Sequence, residues 1–133
     1  MASRAESEER PPRDLVELTP DEPVMWASLA HLGGVTGVVP ALAIWVLLGK
    51  RSEFTESQSR EAVNFQLTGL LSWVALFVVT TCAVLVWKDF AIFVAPPLYF
   101  ALWVTIATLS IMGFLTAKRG IAYRYPLAIR LFS

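Results

Sequence analysis

Few side chains in this sequence could do chemistry, and they gather in two places. His31 is the only histidine and falls inside an apolar run, Val24–Leu48. A second apolar run is interrupted at its entrance by Arg60, Glu61, Asn64, Gln66 and Thr68. Lipid cannot solvate a polar group, so one at membrane depth is either bonded or functional. His31 has no second His, Cys or carboxylate at ligand spacing, so the sequence supports no metal site. It offers instead a neutral imidazole bonded to a neighbouring helix, for which the polar end of the second run near Asn64 is the natural partner. Arg60, Asn64 and Thr68 follow at i, i+4, i+8 on one helical face, with Glu61 beside them. Gln66 lies about 200° around from Asn64 and faces elsewhere. Amides so placed either make interhelical hydrogen bonds, each on the order of 1 kcal/mol, or line a water-filled vestibule. Deeper in the run, Thr80, Thr81 and Cys82 can bond back to their own helix or pack as small residues. One cysteine allows no internal disulfide. The sequence has no HExxH, no paired intramembrane carboxylates, and no Ser–Lys or Cys–His arrangement at telling spacing. It therefore offers no catalytic residues and implies no cofactor.

The elements that must carry these residues follow from composition. The chain of 133 residues is 56% hydrophobic and 17% charged, with mean hydropathy +0.57, too apolar to supply the polar shell of a soluble domain. Its apolar residues come as runs: Val24–Leu48, Asn64–Trp87 and Phe90–Ala117. About 20 apolar residues cross a hydrocarbon core of roughly 30 Å, and backbone groups in lipid require helices. The expectation is an all-α integral membrane protein with three transmembrane helices, at about 24–48, 64–87 and 98–117. Pro40 should kink the first near Thr36, a re-entrant hairpin being the alternative, and Pro96–Pro97 should break the start of the third. Lys88–Asp89 reads as a tight turn between the second and third. Ala30, Gly34, Gly37 and Ala41, with the Gly33/Gly37 pair, give the first span a small-residue face. Such a face suits close packing against a sister span or a second copy.

The polar interval Lys50–Thr68 links the first two spans as a helix, with Thr55 and Gln58 at capping-box spacing. Residues 1–23 carry three Arg against seven acidic residues, with four prolines, and read as a disordered acidic tail. Residues 24–133 form the membrane domain, ending in an interfacial segment, 118–133, where Lys118, Arg119, Arg124 and Arg130 mix with Tyr123, Tyr125 and Phe132. With three spans, the positive-inside rule puts the C-terminus in the cytoplasm and the N-terminus outside. The interval and the C-terminal segment are two spans apart and so share a face. There Glu53, Glu56 and Glu61 would come within reach of Arg124 and Arg130, on a surface with Tyr123 and Tyr125 where a partner could dock.

Three pieces, His31-Leu32, then Glu61-Ala62-Val63-Asn64-Phe65-Gln66, then Tyr123-Arg124-Tyr125-Pro126, stand in this order within Met25 to Phe132. Together they resemble the small bacterial multi-pass membrane proteins grouped with the Tic-like import component of the chloroplast inner envelope. The resemblance implies a helical inner-membrane protein, with a translocation role in the plastid members and no established activity in the bacterial ones. Two function classes remain: a non-enzymatic subunit or scaffold of a membrane assembly, and a channel or protein-translocation component working as an oligomer. The partners implied are the lipid bilayer, further copies of the chain or other membrane proteins, and no nucleic acid.

Overall fold

The computed structural model describes residues 21–132, so the reading of the acidic tail lies almost wholly outside the described residues. Helices α1 (Glu22–His31), α2 (Gly33–Thr36) and α3 (Val38–Leu48) are followed by a 3-10 turn, Gly49–Arg51, and the long helix α4 (Glu53–Val86). A short α5 (Phe90–Phe93) then leads to α6 (Ala95–Ala117). No strand forms among the described residues.

Two helices, α4 and α6, are long and apolar enough to cross a membrane. Only 11% of the most apolar window of each is buried within the protein. Their large side chains, among them Leu70, Val74, Phe77, Phe100 and Trp103, point outward. A soluble core helix would bury such residues; these helices present them to lipid.

The first apolar stretch is not a third long span. It folds as a helical hairpin whose arms, α1 and α3, pack on each other and both on α4. The arms, of 10 and 11 residues, are each about 15 Å long, half of what a crossing needs. Contacts along α4 give the directions. Thr55 Oγ1 donates to Pro23 O and Gln66 Nε2 donates to Ala30 O, so α1 runs parallel to α4. Val38 shares a cavity with Gln66 and Trp73, while Gly49 backs onto Glu56, so α3 returns antiparallel. The reversal falls at Leu32 and at Gly37, whose φ of 102° is available at low cost only to glycine. Pro40 does not kink a continuous helix. It lies in the first turn of α3, where a missing N–H costs nothing. Pro96 and Pro97 likewise start α6.

Helix α4 begins earlier than the capping-box spacing suggests. Ser52 is the N-cap and accepts from Thr55 N at 3.3 Å. Thr55 and Gln58 are thereby released for tertiary bonds. The α4–α6 connection turns at Lys88–Asp89, and α6 descends antiparallel to α4. Tyr99 stacks on Trp73 and bonds Thr80 at 2.9 Å, a Cβ on Gly69 would touch Ile106, and Gly113 lies against His31. The core is thin and made of small residues: Ala30, Ala41, Ile44, Ala62 and Val63, flanked by Trp26, Val38, Trp45, Leu48 and Leu67. A core with so little apolar volume leaves much of the tertiary specificity to polar bonds.

Candidate functional site

Those bonds concentrate on the first half of α4. Gln58, Glu61, Asn64 and Thr68 stand at spacings of three, three and four, which brings them onto one face of the helix. Residues 121–132 form no helix and are laid along that face. Gln58 Oε1 accepts from Tyr123 N at 2.8 Å and Glu61 Oε1 accepts from Tyr125 N at 2.8 Å. After the turn at Pro126–Leu127, Thr68 Oγ1 accepts from Ile129 N at 2.9 Å. Asn64 Oδ1 accepts from Leu131 N and Phe132 N at 3.1 and 3.0 Å, and its Nδ2 donates to Phe132 O at 2.8 Å. The side chains of one helix face thus stand in for the neighbouring strand of a sheet. They supply partners that an irregular backbone next to lipid otherwise lacks. The segment's own side chains, Leu127, Ile129 and Leu131, turn outward.

His31 is fully buried beside this ladder. Its Nε2 lies 3.2 Å from Gln58 Oε1 and its Nδ1 lies 2.9 Å from the Tyr125 hydroxyl. The backbone fixes the protons. Gln58 Oε1 already accepts from Tyr123 N, so it is the acceptor for His31, and Nε2 carries the hydrogen. Nδ1 is then bare and accepts from Tyr125 O–H. Both nitrogens of a neutral imidazole are used, and neither is free to bind a metal or move a proton without breaking the packing. Tyr125 is itself 1% exposed and stacks on Phe65 at 3.8 Å between ring centroids. Burial holds its phenol above the ordinary value. A Cβ on Gly113 would lie 2.7 Å from the Tyr125 hydroxyl and 2.9 Å from His31 Nδ1, so only glycine admits this pair. Gln66 Oε1 is buried and has no hydrogen-bond partner among the described residues, and Ser110 Oγ, also buried, lies beside the Tyr125 hydroxyl.

The sequence-derived sites are distributed as follows. His31 does bond to α4, at Gln58 rather than near Asn64, because the C-terminal segment occupies Asn64. Gln66 faces away from the ladder and bonds α1. Of the small residues, Ala30 and Ala41 are buried, and a Cβ on Gly33 would overlap the Gln66 amide. A Cβ on Gly37 would meet nothing within 4 Å among the described residues; its glycine is required by backbone conformation. The surroundings of Gly34 lie outside the described residues. Glu53 and Arg124 are exposed, and Arg130 with them. Glu56 pairs with Arg60, its neighbour at i+4, rather than with the C-terminal arginines. Arg60 also lies 5.9 Å from the centroid of Trp45, which packs against Phe132. Glu61 receives a backbone amide, and Tyr125 lies in the interior rather than on a docking surface. Gln58 and Gly113 were not legible as site residues. Gln58 was hidden by its capping spacing, and Gly113 had only its position inside a run of bulky residues as a signal.

Deeper hydroxyls contribute no continuous path. Ser72, Thr80, Thr105 and Thr116 each donate to a carbonyl of their own helix. Among the described residues no three of His, Cys, Asp and Glu converge as a metal site.

No curated protein and no solved structure matches the chain. A profile of the magnetosome magnetite crystal formation protein family matches residues 22–132, which take in the hairpin, both long helices, the ladder and the C-terminal segment. The motifs that resemble the Tic-like group all fall inside that match, and no link to the plastid component is found. This chain belongs to the magnetosome magnetite crystal formation family, MamF/MmsF.

Proposed function

We propose that the chain is a non-enzymatic scaffold subunit of the membrane assembly in which magnetite crystals form. The observation that carries this reading is the use made of the polar side chains. His31, Gln58, Glu61, Asn64 and Thr68, the residues best suited to chemistry, are all engaged in fastening the hairpin and the C-terminal segment to α4. What that fastening builds is a rigid platform at one end of the two spans. The base of the hairpin, the start of α4 and the end of α6 meet there. Lys50, Arg51, Arg60, Lys118, Arg119, Arg124 and Arg130 belong to that end, against Lys88 at the other. The positive-inside rule supports a cytoplasmic platform with the C-terminus on it, and the hairpin brings residue 21 to the same side. Glu53, Ser57 and Arg124 are exposed there for a partner.

The test is complementation of a strain lacking the chain. His31→Asn and Glu61→Gln variants that remain membrane-inserted and folded should still support crystals of normal size. Loss of crystals with a folded variant would instead assign those residues a chemical role and end the scaffold reading.

A further inference from the structure

We propose that the groove between α1 and the end of α6 binds one monoanionic phospholipid with a hydroxyl-bearing headgroup. The groove is open and offers about 600 Å³, within the roughly 300–1,000 Å³ usual for small-molecule sites. Its walls are apolar: Val24, Met25 and Leu29 from α1 and Phe114 from α6. Met25 and Leu29 are 46% and 36% exposed, so nothing among the described residues covers them fully. At its mouth stand Lys118, Arg119 and Asp21.

The mouth is built rather than frayed. Helix α6 closes in a Schellman motif, with Gly120 N bonding Ala117 O at 2.9 Å and Ile121 N bonding Thr116 O at 3.3 Å. Gly120 takes the positive φ, 73°, that this motif needs. The last carbonyls are thereby satisfied by backbone, and the two cations are left to other use. Neither is paired with a carboxylate among the described residues. The Lys118 ammonium rests 5.8 Å from the centroid of Phe114, on the wall of the groove itself.

Charge and position select the occupant. Helix α6 is one of the two candidate spans, so the residues just past its end lie at headgroup depth. Among the described residues lining the groove, two cations and one carboxylate leave one positive charge, matching a lipid with a single phosphate charge. Asp21 can accept hydrogen bonds from headgroup hydroxyls. An acyl chain would cover Val24, Met25, Leu29 and Phe114, which a free phosphate compound would leave bare.

The experiment titrates delipidated full-length protein in non-ionic detergent with phosphatidylglycerol, phosphatidylethanolamine or glycerol 3-phosphate. Binding is read by native mass spectrometry and by thermal shift. Phosphatidylglycerol should bind, and Lys118→Gln/Arg119→Gln should weaken it about thirty-fold, since each basic residue near a lipid surface contributes roughly five-fold. Arg124→Gln/Arg130→Gln, which removes the same charge elsewhere on this face, should leave it unchanged. Leu29→Trp fills the groove while sparing both cations and should also abolish binding. The proposal is overturned if phosphatidylethanolamine binds equally, if the Arg124/Arg130 variant loses as much, or if glycerol 3-phosphate alone reproduces the shift. Should the Lys118/Arg119 variant not fold, Leu29→Trp decides, and retention of lipid by it refutes the site.

Discussion

Asn64 tests the ladder most directly. It makes three bonds to the end of the chain: two amides received on Oδ1 and one carbonyl served by Nδ2. Asn64→Leu keeps the volume and removes all three, leaving Phe132 N–H and C=O without these partners and Leu131 N–H with only its bond to Ile129 O. Interhelical hydrogen bonds in membrane proteins average about 0.6 kcal/mol, and a typical protein hydrogen bond reaches about 1.5 kcal/mol. Three bonds therefore predict a loss of roughly 2–4 kcal/mol. The assay is thermal denaturation in detergent, paired with hydrogen–deuterium exchange of the Phe132 amide. Wild type should protect that amide and Asn64→Leu should expose it. A double-mutant cycle completes the test: in a chain truncated after Leu127, Asn64→Leu should cost little further. If Asn64→Leu leaves both melting and exchange unchanged in the intact chain, the ladder does not hold the segment and the reasoning fails.

Further outcomes rest on the same geometry. His31→Leu should insert normally but lose about 1–3 kcal/mol, because the buried Tyr125 hydroxyl loses its acceptor; an unchanged melting temperature would contradict this. Gly33→Ala should destabilise by displacing the Gln66 amide from Ala30 O, a cost that a Gln66→Ala background largely removes. Gly37→Ala, with open space around it, should show only backbone strain, roughly 1–3 kcal/mol, and no rescue. Burial raises the Tyr125 pKa above its ordinary 10.0, so the unfolded chain ionises first as pH rises. Stability should then fall above about pH 10, by up to about 1.4 kcal/mol per pH unit, and a pH titration of Tyr125→Phe should show a shallower fall. Finally, single cysteines at Ser57 and Arg130 in the Cys82→Ser background should react with an impermeant reagent from the same, cytoplasmic side. Labelling from opposite sides would dispose of the shared platform.

The sequence by itself determined the class and the two long helices. Runs of apolar residues as long as α4 and α6 have one stable solution in lipid, and that follows from length and composition alone. It also singled out His31, Asn64 and Thr68, because polar groups stand out against an apolar background. What it could not determine was the path of Val24–Leu48. Twenty-five apolar residues satisfy the length rule for a span, and only the reversal at Leu32 and Gly37 shows that the stretch folds back on itself. The glycines that read as a packing face were in part turn residues, since a small side chain serves both uses and spacing cannot tell them apart. Nor could it assign the bonds. Thr55 and Gln58 fit a helix cap locally, but Ser52 fills that role, and the freed side chains reach Pro23, His31 and Tyr123. The C-terminal residues looked interfacial by composition. Their amides meet Gln58, Glu61, Asn64 and Thr68 across more than sixty positions of sequence. Local propensity fixes which backbone groups need partners; only the packing of α1, α4 and α6 around one buried imidazole decides which side chains supply them.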